Sequence, residues 1–139
     1  MALTASLAAC RKYPEGGDHC GAKARITGTW EVQQLTISGI DSTDYYWVAN
    51  CPSKVLFFKR SKFRGDCAGG GWDLDAKKSV IVFAIDHDYG GSLGPFLHFG
   101  SPSSSSESFE WTISKLTKEQ MRLEATYNNM QCIHILKRL

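Results

Sequence analysis

Residues 108–139, SFEWTISKLTKEQMRLEATYNNMQCIHILKRL, decide how this chain folds. Phe109, Trp111 and Ile113 alternate with Glu110, Thr112 and Ser114, a period of two that sends successive side chains to opposite faces of a strand. Met121, Leu123, Ala125 and Tyr127 then alternate with Arg122, Glu124, Thr126 and Asn128. Asn128-Asn129 is a two-residue turn of a type that tolerates positive φ, and it returns the chain through Met130–Leu139. This hairpin predicts Tyr127 opposite Met130, Ala125 opposite Cys132 and Leu123 facing His134. In the last strand Ile133 and Ile135 oppose Cys132, His134 and Leu136, and pattern alone does not decide which set faces inward. A helix over Lys115–Ala125 competes, because Thr117 and Gln120 imitate a capping box. The alternation running on to Tyr127 favours a strand.

Earlier segments fit the same scheme. Ile26–Ser38 reads as a long strand with Trp30 and Val32 on one face, and its phase changes near Leu35 and Ile37 in the manner of a bulge. Val55-Leu56-Phe57-Phe58 is a continuous apolar run that exits through a solvated hairpin tip, Lys59-Arg60-Ser61-Lys62, towards Phe63. Ser79–Ile85 has the β-branched density of a buried strand. Asp86–Pro95 is a Gly-rich loop, Phe96–Phe99 a brief strand, and Ser101–Ser108 a polar connector. Asp41–Val48 reads as either a strand or a short helical turn. Roughly eight strands follow one another with short turns and no helix long enough for a crossover. The expectation is an all-β, about eight-stranded antiparallel up-and-down meander barrel, whose closure removes exposed edges.

The chain of 139 residues is one domain's worth, and 16 Lys and Arg against 14 Asp and Glu leave a net charge of +2. That balance gives no reason to expect nucleic acid or an acidic membrane surface as a partner. No apolar run approaches the roughly 18 to 20 residues that span a bilayer.

Five cysteines, Cys10, Cys20, Cys51, Cys67 and Cys132, leave one over after pairing. Leu7-Ala8-Ala9-Cys10 resembles a bacterial lipobox, in which small residues before the cysteine admit a signal peptidase and the thiol takes a diacylglycerol. Only nine residues precede Cys10, so residues 1–10 read as the remnant of a lipoprotein signal peptide. Residues 11–24 mix Gly, Pro and charge and read as a flexible tether, with the folded domain over residues 25–139. With Cys10 lipidated, the other four cysteines allow three pairings in an oxidising compartment. None shows Cys-x-x-Cys spacing and the four histidines are scattered, so no metal is expected.

Gly28-Thr29-Trp30 on the first strand, Cys51 and Cys67 around a hairpin, and Gly71-Trp72-Asp73-Leu74 before a β-branched strand carry a resemblance. So does the ending, Trp111-Thr112-Ile113 with Leu116-Thr117, then a strand, Asn-Asn and a final strand. In that order the chain resembles the lipocalin-like lipoproteins of Bacteroidetes-type bacteria, small members of the calycin class, over most of residues 28–139. The resemblance implies an eight-stranded barrel on a lipid tether in the cell envelope, with Cys51 paired to Cys67. Flanking a hairpin centred near residues 59–61, those two would lie near-opposite, and closing the loop would stabilise by roughly 3 kcal/mol. Cys20 with Cys132 follows by elimination. The Lys59–Lys62 turn and the insertions at Asp86–Pro95 and Ser101–Ser108 depart from the family pattern.

A small closed barrel whose interior is not filled holds one compact ligand. Trp30, Trp72 and Trp111 read as core. Tyr45 and Trp47, with Tyr46, lie near a loop and are candidates to touch an apolar ligand, as are Phe57, Phe83, Phe96, Phe99 and Tyr127 on inward faces. Asp86-His87-Asp88 reads as turn chemistry, and Gly69-Gly70-Gly71 precedes a strand and lacks the helix end of a phosphate loop. Lys59, Arg60, Lys62 and Arg64 read as a solvated turn. No spacing assembles a nucleophile with a base. The reading is a monomeric, non-catalytic, cofactor-free binding barrel that meets the membrane only through its lipid. The alternative is a protein-interaction module acting through Asp41–Val48 and Asp86–Pro95.

Overall fold

The computed structural model describes residues 10–48, 53–65, 69–85, 100–102 and 108–139. Ten strands lie among them: β1 (Gly28–Ile37), β2 (Ile40–Asp41), β3 (Val55–Phe58), β4 (Lys62–Gly65), β5 (Gly69–Leu74), β6 (Val80–Ile85), β7 (Ser101–Pro102), β8 (Ser108–Leu116), β9 (Gln120–Tyr127) and β10 (Met130–Arg138). Eight of them pair antiparallel in succession, and β10 returns to β1, so the sheet closes into a barrel. β2 folds back on β1, and β7 pairs with β8 outside the ring. The expected all-β meander is therefore the observed architecture.

Register follows the alternation. Tyr127 pairs with Met130, Ala125 with Cys132 and Leu123 with His134, as the hairpin predicts. This pairing settles the inward face of β10: Cys132, His134 and Leu136 lie with Ala125, Leu123 and Met121 and are buried. Ile133 and Ile135 take the other face. The phase change in β1 is a register shift between Val32 and Gln34, after which Leu35 is inward and buried. Residues 117–119 form a hairpin turn, not a helix, and the Thr117 hydroxyl accepts the Gln120 N–H at 3.0 Å, so the capping-box residues brace a β-turn instead. Asp41–Val48 resolves into both readings, the end of β2 and a π-helical turn over Asp44–Val48.

One end of the barrel, the base, carries the tips at residues 59–61, 75–79 and 117–119. The other, the mouth, carries residues 38–48 and the Asn128-Asn129 turn. Trp30, Trp72 and Trp111 are buried in the core as expected. Phe58 stacks on Phe63 at 5.5 Å and both meet Phe83 edge-on, while the Trp72 indole donates to the Lys59 carbonyl at 2.7 Å.

The N-terminal segment requires two corrections. Residues 11–24 are not a flexible tether: they fold across the base, where Tyr13 and Ala22 are buried and α1 (Ala22–Ile26) lies before β1. Backbone bonds from Glu15 to Ser114 and from Leu116 to Gly16 tie the segment to β8, and the Tyr13 hydroxyl donates to the Lys78 carbonyl at 2.7 Å. Burial pushes the Tyr13 phenol up to about 12. Gly17, at φ 86°, is pressed so close to the Leu116 carbonyl that no Cβ fits there. Composition misleads here, because Gly and Pro serve a tight wrap as readily as a loose linker. Second, Cys20 bonds to Cys10, with Cα atoms 5.7 Å apart, and not to Cys132, which is a buried free thiol on β10. The Cys10 sulfur is thereby occupied and has no thiol to offer a diacylglycerol, so Cys10 is corrected from lipid carrier to half of a disulfide. Cys51 and Cys67 lie outside the described residues, as do Phe96, Phe99 and Asp86–Pro95.

Arg138, at the end of β10, joins these parts. Its guanidinium lies over the Trp30 ring, 4.4 Å from the centroid. It donates to the carbonyls of Lys118 at 2.7 Å, Thr27 at 3.1 Å and Arg25. Trp30 in turn donates its indole N–H to the Ile26 carbonyl at 2.7 Å. Gly28 has φ 136°, and a Cβ there would strike the Arg138 guanidinium, which is the physical reason for glycine two residues before the tryptophan. Replacing Arg138 by Ala should lower unfolding stability by about 3 kcal/mol, and Lys, lacking the planar fork, should recover less than half of it. Urea denaturation reads both; a loss below about 1 kcal/mol would contradict this role. Opening the Cys10–Cys20 loop by Cys10→Ser should destabilise by about 2–3 kcal/mol in the same assay.

Candidate functional site

The barrel interior beneath the mouth is the one place where polar chemistry is enclosed by aromatic walls among the described residues. Its geometry starts from β2. The Asp41 carboxylate accepts the Thr43 N–H at 3.0 Å and the Thr43 hydroxyl at 2.6 Å. The Thr43 hydroxyl oxygen accepts the Leu35 N–H at 2.8 Å, and Ser42 N–H donates to the Leu35 carbonyl at 2.7 Å. Hydrogen bonds from Thr43 hold the Asp41 carboxyl below its usual range. The chain is thus clamped to β1 at the bulge before it enters the π-helical turn. Such turns are uncommon and concentrate at functional positions.

The turn drops Trp47 into the barrel, where it is fully buried. Its indole N–H donates to His134 Nε2 at 3.0 Å. The Trp111 ring centroid lies 4.6 Å from that of the imidazole and the Trp47 centroid 5.7 Å, so His134 packs against two indoles. An indole N–H only donates, so Nε2 is an acceptor and the His134 proton resides on Nδ1. Burial pushes His134 down to about 3, which keeps the ring neutral. Burial also pushes the Cys132 thiol up and keeps it protonated, two residues from the imidazole on the same inward face. The arrangement offers one neutral hydrogen-bond acceptor, fixed in tautomer and orientation, inside an apolar aromatic box.

Of the side chains expected to touch a ligand, the structure brings few together. Trp47 is inside and central. Phe83 is inside but packed among Phe58 and Phe63, and Tyr127 is half-buried against the core near the mouth. Tyr45 is 75 % exposed on the turn, and Phe57 is 43 % exposed on the outer wall. The outward face of Phe57 is a correction. The apolar run of β3 has no alternation to reveal its inward face, and its pairing with β1 puts Leu56 and Phe58 inside and Phe57 out. Phe57 borders an open outer depression of about 570 Å³ with Lys59 and Arg64. Sequence reasoning missed the Trp47–His134 pair and the role of Arg138. The available signal was His134 sharing a face with Leu136 and Cys132. Cys10, Asp18 and Cys20 are the only described group with metal-ligand proximity, and their two sulfurs are joined as a disulfide.

No family model matches the chain, and no curated protein matches it. Among solved structures, it is similar to a lipocalin-like protein from Bacteroides uniformis at a TM-score of 0.51 and 15 % sequence identity, over 83 % of this chain and 99 % of that one. Such a likeness concerns the fold: the closed eight-stranded barrel is lipocalin-like.

His134 makes the interior sensitive to acid. Its folded pKa of about 3 lies below its ordinary 6.5, so between those values the unfolded chain binds a proton that the folded chain does not. This contribution to stability is complete above pH 6.5 and shrinks as pH falls, by up to about 1.4 kcal/mol per unit. His134→Gln retains an acceptor for Trp47 and does not titrate. Urea unfolding at pH values from about 6.5 to 4.5, above the main carboxylate range, should give a flatter profile for the variant, whereas equal slopes would remove His134 as the cause.

Proposed function

We propose that this chain is a non-catalytic binding barrel for a small, apolar, aromatic molecule carrying one hydrogen-bond donor. The observation that carries the reading is Trp47, an aromatic group on a mouth turn, lodged in the interior against the buried acceptor of His134. Ligand sites are mostly apolar with a few placed polar groups, and this interior has that composition. In the proposed mechanism the turn lifts, the indole withdraws, and the ligand ring takes its place against His134. The ligand donor then satisfies Nε2, so the buried acceptor is paired in both states and exchange avoids an unsatisfied polar group. Apo and bound forms differ by which ring fills the box. The Cys10–Cys20 disulfide supports an oxidising, extracytoplasmic location such as the cell envelope of a bacterium. The protein acts as a monomer in this reading.

A second reading, a protein-interaction module, is favoured by Ile40 and Tyr45, which stand 69 % and 75 % exposed at the mouth. Its partner would meet the rim, leaving the interior closed.

Calorimetry with 2-naphthol separates the two. Wild-type protein should bind it, and Trp47→Ala, which removes the competing ring, should bind at least about tenfold tighter. 2-Methoxynaphthalene, lacking the donor, should bind the variant about fivefold or more weakly than 2-naphthol. If neither folded protein takes up 2-naphthol, or the two naphthalenes bind alike, the interior is not the site.

A further inference from the structure

We propose that the base of the barrel is a docking surface for an anionic lipid leaflet. The net charge of +2 conceals a segregation that only the topology reveals. Every hairpin tip at the base carries exposed cations: Lys59 and Arg60 between β3 and β4, Lys77 and Lys78 between β5 and β6, and Lys118 between β8 and β9. These five make no ion pair with a carboxylate among the described residues. Two cations next to the base are instead paired, Lys23 with Asp73 at 3.0 Å and Arg25 with Asp18 at 3.7 Å. At the opposite end, the described mouth residues carry Asp41 and Asp44, with Lys54 beside Asp41 where the chain enters β3. Asp75 and Glu119 stand in the same base turns, so the three tips carry five cations against two carboxylates. The described mouth carries Asp41 and Asp44 against Lys54, and the molecule is polarised along the barrel axis.

The arrangement fits a planar array of phosphate headgroups. The cations stand on separate hairpins round the end of a cylinder, so they are spread over an area and do not line a groove. Each tip is held from inside: the Trp72 indole bonds the Lys59 carbonyl, the Tyr13 hydroxyl bonds the Lys78 carbonyl, and Arg138 bonds the Lys118 carbonyl. The three turns therefore present their charges on a fixed frame and lose little backbone freedom on docking. Exposed Phe57 stands on the outer wall one residue from the base, with the Lys59 ammonium 5.6 Å from its ring centre. This pairing of an apolar ring with a cation suits the headgroup boundary. A single-stranded nucleic acid would need several aromatic faces between the cations, and this end exposes only Phe57 among the described aromatics. Docked this way, the base lies against the leaflet and the mouth faces away from it.

Cosedimentation of the full chain with vesicles tests the proposal. Equimolar phosphatidylcholine and phosphatidylglycerol should retain the protein, phosphatidylcholine alone should not, and retention should fall as salt shortens the reach of the charges. Lys59→Gln with Arg60→Gln should weaken partitioning by about 30-fold, while Lys54→Gln, away from the base, should leave it unchanged. Near-ultraviolet circular dichroism verifies that both variants keep the barrel. Absence of salt-dependent retention on the anionic vesicles would overturn the proposal. So would an equal loss from Lys54→Gln, or an oligonucleotide that binds where the vesicles do not.

Discussion

The Arg138 guanidinium over the Trp30 face is the contact on which the barrel depends. A closed meander must join its first strand to its last, and nothing in local sequence does this. Arg138 reaches across that seam and collects carbonyls from the N-terminal segment and from the β8–β9 turn in one planar fork. A single charged group thus fixes the closing pair, the entry to β1 and a hairpin tip together. Its aromatic partner shields it from water on one side and is itself tied to α1. Glycine at position 28 is the steric counterpart of this contact, since any side chain there would displace the guanidinium.

That cluster and the wrapped N-terminal segment close the base, and the Trp47–His134 pair lies towards the other end. There the bulge in β1 brings Leu35 inward and exposes its backbone to Thr43, and Asp41 and Thr43 turn the chain into the barrel. Trp47 and His134 meet as a consequence of strand register at one end and a clamped turn at the other. Trp47 is fully buried there, its indole N–H bonded to His134. Base and mouth differ in charge as well as in packing.

Much of the fold was legible in the chain, for identifiable reasons. Alternation from Phe109 to Tyr127 and the Asn128-Asn129 turn specify register, because a slip of one residue would turn Leu123 and Met121 to solvent. The bulge near Leu35 was visible as a change of phase. Segments without periodicity were not legible in this way. Val55–Phe58 is apolar at every position, so only its pairing with β1 reveals that Phe57 faces out. Asp41–Val48 has no period at all, and the burial of Trp47 follows from side-chain bonds by Asp41 and Thr43 that no pattern announces. Residues 11–24 have the composition of a linker, yet backbone bonds to β8 and the buried Tyr13 hold them. Cysteine counting ranks no pairing above another, and Cys10–Cys20 arises from that same local wrap. Charge segregation was invisible in the net charge and became apparent only when the turns were assigned to ends.

The most direct measurement of the central claim is a long-range nitrogen–proton correlation spectrum of the histidine rings, with the Trp47 indole proton observed in parallel. The account predicts a neutral His134 in the Nδ1–H tautomer at pH 5, with a Trp47 indole proton protected from solvent exchange until an aromatic donor is added. A protonated or Nε2–H His134, or a Trp47 indole proton that exchanges freely in the unliganded protein, would contradict it.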